Sequence, residues 1–311
     1  MSPNLTVKCA VVGAGWWGTR AHIPAIKSHP RAELVAVQKR DPGAARRVAR
    51  DFDIPVACTT MDEVLAVDGL QAVVISSTPN VHHTQAQAAL EAGCHVLLEK
   101  PMTITVAQAE ELVALADSRG LQFLISCPWH YTDHNVEARP LIRSGRLGEI
   151  KMISVLMTNF TEGLYRGLPW EEATEGAQAD ESGPQPYLRP GLTSYCDPSV
   201  AGGGQIYCQV SHVAAHLAFL ADAEPAEVFA RFDDAGTDVD VYNVLNIRLD
   251  NGAVVGLTST GATMKSDRNY EVRVYGTEGM LFMELWKGTL ELHGLDGQII
   301  RYPPLTPEGI Y

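Results

Sequence analysis

Over its first 126 residues the chain alternates short apolar runs, rich in β-branched residues, with longer stretches of helical periodicity. The apolar runs predict strands at residues 8–12, 33–38, 72–75, 95–98 and 122–126. The stretches between them predict helices at about residues 19–29, 42–52, 81–92 and 105–119, of which the last two end at Gly93 and Gly120. Strands that alternate with helices in this way are typical of a parallel sheet wound by helices.

A different pattern begins after Trp129. Residues 137–143 predict a helix that ends at Gly145, and residues 149–159 predict a long strand. Residues 161–203 are rich in Gly, Pro, Ser and acidic side chains, which predicts a long loop. From residue 226 to residue 302, strand-like runs alternate with turns, which indicates an antiparallel sheet. Because 311 residues exceed one ordinary core, we predict an α/β protein of two domains, residues 1–127 and 128–311.

The first predicted strand is followed at once by Gly13, Gly15 and Gly18, in the spacing G-x-G-x-x-G. Between a strand and a helix, this spacing is a dinucleotide-binding fingerprint. Gly13 permits the tight turn, Gly15 lets the backbone approach the diphosphate, and Gly18 lets the helix pack on the strand. The N–H groups at the start of that helix are then expected to bind the diphosphate.

Composition excludes several other classes of protein. The net charge is −13 and no run of Lys and Arg exceeds two residues, which argues against binding to nucleic acid. No apolar run is long enough to cross a bilayer, and residues 1–7 lack the pattern of a signal peptide, so we expect a cytoplasmic protein without membrane contact. The six cysteines include no C-x-x-C pair, so we expect reduced thiols and no metal site.

Candidate chemistry follows two of the predicted strands. In an open wound sheet, ligands bind at the carboxyl ends of the strands. The third predicted strand is followed by residues 76–83 (SSTPNVHH), and the fourth by Glu99, Lys100 and Pro101. Lys100 is a hydrogen-bond donor next to a rigid proline, a suitable position for contact with a substrate hydroxyl beside a nicotinamide ring. The alternative is a solvated surface lysine.

A second cluster lies in residues 202–216 (GGGQIYCQVSHVAAH), where an apolar helix begins. Spacing of four places Cys208, His212 and His216 on one face of this helix, with Gln209 nearby. A histidine titrates near neutrality and can take the proton of a hydroxyl while the carbon loses hydride. Two alternatives stay open: both histidines are polar residues of a buried helix, or they bind a metal, for which the sequence offers no convincing third ligand.

In their order and spacing, these motifs resemble the Gfo/Idh/MocA family, which includes glucose-fructose oxidoreductase and inositol dehydrogenase. The resemblance rests on the turn at residues 13–18, on Thr78, Pro79 and Asn80 with His83, on residues 99–101 and 144–150, and on the glycines that lead to His212. It implies a Rossmann domain followed by an α/β domain with an open, mostly antiparallel sheet. The outer face of that sheet commonly pairs subunits, which implies a homo-oligomer, either a dimer or a tetramer.

The resemblance also implies an activity and the residues that carry it. The activity is the reversible oxidation of a secondary hydroxyl of a sugar, a sugar derivative or a cyclitol by NAD or NADP. Lys100 matches the family lysine that contacts the hydroxyl, and His212 the histidine that handles its proton. Residues expected to bind the cofactor are Gly13, Gly15, Trp16, Trp17, Gly18, Lys39, Arg40, Ser77, Thr78, Asn80, His83, Glu99, Lys100 and Pro101. Residues expected near the substrate are Trp129, His130, Tyr131, Cys208, Gln209 and His216.

The loop at residues 161–203 precedes the helix of His212 and contains Tyr165, Trp170, Tyr187 and Tyr195. Aromatic rings pack on the apolar faces of sugars. We therefore predict that this loop forms part of a substrate wall.

The chain departs from the family pattern at three places. Many members carry Asp where this chain has Cys208 and Ala215, so a proton relay through those carboxylates is absent, and Gln209 or His216 is the candidate to orient His212. Residues 128–131 (PWHY) replace an Asn-x-Arg-Phe-like stretch. Members usually continue into a further helix beyond the position of Tyr311, so we expect the family's C-terminal tail to be missing here.

The residues after the second predicted strand bear on the choice of cofactor. NAD-specific folds place an acidic residue there for the ribose hydroxyls, whereas cations accept a 2′-phosphate. Lys39 occupies the acidic position and Arg40 follows it, so we expect NADP(H), with NAD(H) as the alternative.

The leading hypothesis is an NAD(P)-dependent dehydrogenase for a small carbohydrate or cyclitol. One alternative on the same fold is a glycosidase that oxidises its substrate transiently with bound NAD. Another is a non-catalytic sensor that binds nucleotide, which the loss of both Asp positions keeps open, whereas the presence of Lys100 and His212 favours catalysis.

Overall fold

The computed structural model describes residues 6–173 and 188–306 of the chain, which form two compact units. The first unit consists of residues 6–126, 188–194 and 199–202, and the second of residues 127–173, 195–198 and 203–306. Two short segments, residues 188–194 and 199–202, thus belong to the first unit, although parts of the chain before and after them belong to the second unit. None of the helices within these ranges is long and apolar enough to cross a membrane.

The first unit contains a six-stranded parallel sheet, in the order β3-β2-β1-β4-β5-β6. Its strands are β1 (Val7–Val12), β2 (Ala32–Gln38), β3 (Val56–Cys58), β4 (Ala72–Ile75), β5 (His95–Glu99) and β6 (Phe123–Ser126). Its main helices are α1 (Ile23–Ser28), α2 (Pro42–Asp51), α3 (Met61–Leu65), α4 (His82–Glu91) and α5 (Val106–Ser118), and a π-helical turn, Gly18–His22, precedes α1. The strand order reverses between β1 and β4, and in wound sheets the ligand crevice lies at this point.

Strand residues of this sheet alternate between two apolar cores, one on each face. Ala10 and Val12 of β1 pack in a core that includes Leu90 of α4 and Leu112 of α5. Val11 packs in the other core, with residues of α1 and α2. The predicted parallel sheet is confirmed with its five strands, and the structure adds the three-residue strand β3, which the sequence pattern missed.

The second unit contains an eight-stranded sheet, in the order β14-β13-β12-β11-β7-β10-β9-β8. Its strands are β7 (Ile150–Thr158), β8 (Pro225–Asp233), β9 (Tyr242–Leu249), β10 (Val254–Thr260), β11 (Asn269–Gly276), β12 (Gly279–Glu284), β13 (Thr289–Gly294) and β14 (Ile299–Arg301). Neighbouring strands are antiparallel except for β7 and β10, which run parallel. The predicted mostly antiparallel sheet is confirmed.

Helices cover one face of this sheet, whereas the other face carries exposed side chains. On one face, helices α6 (Asp133–Arg143) and α10 (Ser211–Ala221) contribute Ile142 and Leu220 to a core with Ile153 and Met157 of β7. The other face carries apolar side chains that are 42–58% exposed: Phe229, Tyr242, Val244 and Val254. This exposed face is called the outer face below.

The prediction that residues 161–203 form a loop without helices is wrong for the part that the structure describes. One-turn helices α7 (Glu162–Tyr165), α8 (Trp170–Ala173) and α9 (Pro198–Ala201) lie in this segment. Arg166 pairs with Glu162 across the first of them, with 2.6 Å between the charged groups. Helices of four residues are too short to leave a periodic pattern in the sequence.

Candidate active site

The glycine-rich turn after β1 lies against the loop that follows β4. Gly13 has a φ of +71°, and a Cβ placed on it would lie 2.5 Å from the backbone N of Ser77, so a larger residue does not fit there. A Cβ on Gly18 would lie 3.5 Å from the Ser76 hydroxyl, which shows close packing of the helical turn. At Gly15, among the described residues, a Cβ would meet only the Gly13 carbonyl oxygen within 4 Å. The protein therefore leaves space at Gly15, as a ligand that approaches this backbone requires.

Trp16 and Trp17 occupy the variable positions of the glycine turn. Their ring centroids lie 5.4 Å apart, with the planes tilted by 50°. Both side chains are half-buried. The turn thus carries an apolar surface next to the open backbone at Gly15.

Gln38, the last residue of β2, holds the glycine turn in place. Its Oε1 accepts the N–H of Gly13 at 3.1 Å, and its Nε2 donates to the carbonyl of Thr59 at 2.8 Å. Its backbone carbonyl accepts the N–H of Ala14 at 3.1 Å. Gln38 is buried, so this side chain is a fixed bridge between the glycine turn and the loop after β3. The sequence motifs do not mark Gln38, because a polar residue at a strand end carries no spacing signal.

Positive charges collect after β2. Lys39 is half-buried, and burial, followed by the charges of Arg40 and Arg47, lowers the pKa of Lys39, while the charge of Asp41 acts in the opposite direction. Asp41 also caps α2, since its carboxylate accepts the N–H of Ala44 at 2.6 Å. Like charges held close together favour an anionic ligand. Arg47, on α2, is a cation of this group that the motif does not mark.

The loop after β4 and the first turn of α4 together carry four of the residues expected at the cofactor. The Ser77 backbone lies against the glycine turn, and the Thr78 hydroxyl donates to Asn80 Oδ1 at 2.7 Å. The ring of His83 instead pairs with Glu111 on α5, with 2.9 Å between Nε2 and Oε2. The structure therefore brings Ser77 to the glycine turn and gives His83 a partner on a neighbouring helix.

Glu99 fixes the start of the Glu99-Lys100-Pro101 turn, in which the last peptide bond is cis. Its Oε1 lies 2.8 Å from His22 Nε2, and its Oε2 accepts the N–H of Lys100 at 3.1 Å. Burial raises the pKa of Glu99, but the hydrogen bond and charge of His22 and the charge of Lys100 outweigh burial, so the pKa is lowered overall. Glu99 is therefore an ionised, buried carboxylate that orients the backbone leading to Lys100.

His212 lies on the first turn of α10, and Asp240 anchors the segment that leads to it. Asp240 accepts three successive amides: Gly204 to Oδ1 at 2.9 Å, Gln205 to the backbone oxygen at 2.9 Å and Ile206 to Oδ2 at 2.7 Å. A π-helical turn, Ile206–Val210, then leads into α10. A Cβ on Gly204 would overlap the Asp240 backbone, so this glycine is needed for the close approach.

Cys208 lies in a small core of the second unit rather than in an open cleft. It packs with Tyr165, Val239 and Val241. Tyr165 is 1% exposed and donates to Gln205 Oε1 at 2.8 Å. The ring of Tyr165 fills this core and its hydroxyl finds a partner there, so Tyr165 does not contribute to the predicted substrate wall, whereas the position of residues 161–203 in that wall stays a prediction. Trp170 and Tyr195 are half-buried, and Tyr187 lies outside the described residues.

His216 sits in a buried hydrogen-bonded network of the second unit. Its Nε2 lies 2.7 Å from Asn135 Oδ1, and its Nδ1 lies 3.0 Å from the Tyr270 hydroxyl. Burial, with a smaller contribution from the charge of His130, lowers the pKa of His216 to about 3. The ring is therefore neutral, and both nitrogens are engaged, so His216 corresponds to the buried-helix alternative and not to a substrate contact or a partner of His212. Within the described ranges, no group of three or more His, Cys, Asp or Glu side chains is arranged to hold a metal ion.

Residues 128–131 divide between core and surface. Trp129 is buried and packs edge-on against Tyr270 and Trp286, with ring centroids 5.3 and 4.8 Å away. His130 stacks on Phe219 at 4.8 Å, and burial lowers the pKa of His130. Tyr131 is 70% exposed. Of these three residues expected near the substrate, Tyr131 is the one whose ring faces solvent.

Two sequence profiles of one family match the chain. The profile described as "oxidoreductase family, NAD-binding Rossmann fold" matches residues 7–126. The profile described as the Gfo/Idh/MocA C-terminal domain matches residues 176–282. The two matches cover the parallel sheet of the first unit and much of the sheet of the second.

A dTDP-3,4-didehydro-2,6-dideoxy-alpha-D-glucose 3-reductase of Streptomyces antibioticus is 35% identical over 157 residues, which are 50% of this chain and 47% of the relative. The chain spans about half the length of the curated relatives it matches.

Solved structures share the fold of both units. An oxidoreductase domain protein of Kribbella flavida matches with a TM-score of 0.82 and 21% identity, over 97% of this chain and 81% of its own. Levoglucosan dehydrogenase in complex with NADH and levoglucosan matches with a TM-score of 0.77 and 20% identity, over 98% of this chain and 82% of its own. With both family profiles and the fold in agreement, the chain belongs to the Gfo/Idh/MocA family of oxidoreductases, and its first unit is an NAD-binding Rossmann domain.

Proposed function

We propose that this chain is an NAD(P)-dependent oxidoreductase that reversibly oxidises a secondary hydroxyl of a sugar, a sugar derivative or a cyclitol. One observation carries the proposal: three functional segments meet at the carboxyl edge of the first sheet, where its strands end. The glycine turn leaves no room for a Cβ between Gly13 and Ser77, and the ring of His82 links Ser77 to Pro101. A dinucleotide turn and a firmly held lysine thus share one edge, at the point where the strand order reverses.

The names of related proteins support this reaction class. The relative from Streptomyces antibioticus is named a reductase of a dTDP-linked dideoxy sugar, and the levoglucosan dehydrogenase structure contains NADH and levoglucosan. Both names describe redox enzymes of carbohydrate-related compounds. They support the proposal of redox chemistry on a carbohydrate-related substrate for this chain.

The first unit fits a bound dinucleotide. We propose that backbone N–H groups of the turn at residues 13–18 hold the diphosphate, for which the space at Gly15 is suited. Trp16, Trp17 and the loop with Ser77, Thr78 and Asn80 extend this surface. The bound nicotinamide supplies or accepts the hydride of the reaction.

We propose that NADP(H) is the preferred cofactor. Lys39 and Arg40, with Arg47, form a group of positive charges that a 2′-phosphate would neutralise. A charge-assisted contact of this kind contributes about 1.5–3 kcal/mol, so Lys39→Asp should shift the ratio of kcat/KM at least about tenfold from NADP towards NAD. Lys151→Ala, at an exposed lysine paired with Glu149, should leave the ratio unchanged. Equal kcat/KM values with both cofactors in the unmodified protein would contradict the preference.

Lys100 and His212 are the residues to which we assign the chemistry at the hydroxyl. In oxidation, negative charge develops on the oxygen as its proton leaves, and in reduction it develops as hydride reaches the carbonyl carbon; a Lys100 ammonium that donates to this oxygen stabilises the charge. An imidazole can take the hydroxyl proton in oxidation and return it in reduction, and this is the role that we assign to His212. Cys208 stands in place of a supporting carboxylate, so one titrating group should govern the pH dependence of kcat.

Two residues of the second unit are the substrate contacts that its structure favours. Tyr131 exposes its ring, and Gln209 is half-buried with its Nε2 3.6 Å from Cys208 Sγ. Trp129 and His216 are engaged within the core, so we leave them out of the proposed substrate site.

We propose that the outer face of the eight-stranded sheet pairs with a second copy of the chain, to give a dimer or a tetramer. Large contiguous apolar patches are uncommon on monomers, and Phe229, Tyr242, Val244 and Val254 are all exposed on this face. Val244→Glu should reduce the molar mass measured by light scattering. A monomeric unmodified protein at micromolar concentration would contradict the proposal.

A panel of polyols and sugars, tested with both cofactors, examines the proposed reaction. Net formation of reduced nicotinamide, followed by its absorbance, is the expected result with at least one compound. Cleavage of a glycoside without net change in the cofactor would indicate the glycosidase alternative. Nucleotide binding with neither reaction would indicate a sensor.

A further inference from the structure

His82 joins two loops at the carboxyl edge, although the sequence motif marks its neighbour His83. It is the first residue of α4 and is 0% exposed. Its Nδ1 lies 2.8 Å from the carbonyl oxygen of Pro101, and its Nε2 lies 3.0 Å from the carbonyl oxygen of Ser77. One ring therefore connects the loop after β4 to the turn after β5.

The two partners determine how many protons the ring must carry. A carbonyl oxygen only accepts hydrogen bonds, whereas a neutral imidazole has one N–H group and one lone pair. In the neutral form, one of the two contacts would place a nitrogen lone pair against an oxygen lone pair in a site without solvent. Both contacts are favourable only when both nitrogens carry a proton.

The surroundings of the ring include a countercharge. Burial is the largest effect and lowers the pKa of His82 overall, although the carbonyls of Pro101 and Ser77, the charge of Glu99 and the Met102 backbone raise it. The expectation of two ring protons therefore rests on the two carbonyl acceptors that the ring faces and not on this balance. His22 and Lys100 also face Glu99, whose ionised carboxylate balances positive charge at this turn. On α4 itself, His83 pairs with Glu111, on the neighbouring helix α5.

We propose that His82 is a positioning residue for Lys100: as an imidazolium it donates to Ser77 and Pro101 at once, and so fixes the lysine turn to the dinucleotide loop. Pro101 follows Lys100 directly, and the Ser77 backbone lies against Gly13. Displacement of either loop therefore changes the position of Lys100 relative to the glycine turn. This inference rests on the proposed function in one respect, the role of Lys100 at the substrate hydroxyl.

The proton count is tested first, because it requires no substrate. In nitrogen-15 spectra of the full chain labelled at histidine, both ring nitrogens of His82 should carry a proton near neutral pH. Signals are assigned by their loss in His82→Phe or, if that variant does not fold, in His82→Gln. One protonated nitrogen would overturn the proposal.

Positioning is tested with His82→Phe, which keeps a ring and removes both donors. The matched control is His95→Phe, at the opposite end of β5, where His95 Nδ1 accepts the N–H of Gln122 at 3.0 Å. His82→Phe should raise hydrogen exchange about tenfold or more in peptides covering residues 76–78 and 99–103, because these amides lose a local restraint. His95→Phe should leave exchange in both peptides unchanged, and equal exchange in the two variants would overturn the proposal.

Measurements of turnover distinguish a failure of this inference from a failure of the proposed function. His82→Phe should lower kcat about 10- to 100-fold while KM for the alcohol changes less than about threefold. This combination is expected when a reacting group is displaced but the substrate still binds. Loss of turnover in Lys100→Ala with normal turnover in His82→Phe would overturn the inference and leave the proposed function standing. A fully active Lys100→Ala would remove Lys100 from the proposed mechanism, and no turnover of any compound by the unmodified protein would overturn the proposed function. In both cases proton count and exchange still decide whether His82 holds the two loops together.

Discussion

The lysine turn of the first unit and the histidine helix of the second are anchored in different ways. Around Lys100, separate segments each contribute one or two hydrogen bonds: His22 acts through Glu99, and His82 acts through Pro101. In the segment before His212, one residue, Asp240, receives three successive amides, and the side chain of Gln205 adds bonds to Tyr165 and Ser259. The lysine turn is thus held by contacts from several loops, whereas the backbone amides that lead to His212 converge on one residue.

The buried histidines His82, in the first unit, and His216, in the second, also differ in their hydrogen-bond partners. His82 faces two carbonyl oxygens, whereas His216 faces one amide oxygen and one hydroxyl, which can donate. A neutral ring satisfies the partners of His216 but not those of His82. Hydrogen-bond partners, rather than burial alone, therefore distinguish the expected charge states of two histidines that are almost equally buried.

Removal of the two reacting groups is expected to have the largest effect. Lys100→Ala and His212→Ala should each lower kcat by about 100-fold or more with little change in dinucleotide Kd, because both groups act mainly in the transition state. Steady-state kinetics and nucleotide titration measure the two quantities. Lys151→Ala provides the control, and normal turnover in either alanine variant would remove that residue from the mechanism.

Asp240→Ala tests how much the amide contacts of Asp240 contribute to stability. Its carboxylate accepts two backbone amides, and hydrogen bonds to a charged group are worth about 1.5–3 kcal/mol, so we expect a loss of about 2–3 kcal/mol in the free energy of unfolding in urea. Asp240→Asn, which keeps one acceptor, should lose less. Asp238→Ala, at an exposed carboxylate two residues earlier, is the control, and an equal loss there would argue against a specific anchor.

The lowered pKa of His216 predicts that the protein loses stability in acid. Its folded pKa is about 3, whereas a histidine in an unfolded chain titrates near 6.5. Between these values the unfolded state binds more protons, so the free energy of unfolding falls as pH falls, by up to about 1.4 kcal/mol per pH unit. Urea unfolding at several pH values measures this slope. His216→Gln should flatten it and the exposed His29→Gln should not; an unchanged slope in His216→Gln would contradict the assignment.

Gln38→Leu should have the smallest effect of this series. It removes the side-chain bonds to Gly13 and Thr59, and a neutral hydrogen bond contributes about 1 kcal/mol, so dinucleotide Kd should rise about fivefold. Fluorescence titration with NADPH and NADH measures the change. Gln298→Leu, at an exposed position of the second unit, should leave Kd unchanged, and an unaltered Kd in Gln38→Leu would show that the bridge does not shape the dinucleotide turn.

Features that lie close together in sequence were predictable. The five longer strands of the first sheet and its glycine turn are local patterns, since strand periodicity and glycine spacing need only a few neighbouring residues. Strand β3, with three residues, is too short for such a pattern.

Residues whose partners lie far along the chain were not predictable. Gln38 binds a residue 25 positions away, and Asp240 binds Gly204, 36 positions away, so no spacing rule joins them. His82 and His83 are adjacent, and the family pattern marks only His83; the fold directs the ring of His82 inward and pairs His83 with α5. His216 shares a helix face with His212 by spacing, but its network with Asn135 and Tyr270 depends on tertiary packing.

The parallel pairing of β7 with β10 has a consequence for biosynthesis. β7 lies between β10 and β11, so neither side of this strand can pair until the chain has been made to at least residue 254. At about 5–20 residues per second, the roughly 100 residues between them take about 5–20 s to translate. During this interval all six strands of the first unit have been translated. By contrast, β7, the most apolar strand of the second unit, has no partner strand. Chaperone dependence should therefore concentrate on nascent chains that end between residues 158 and 254.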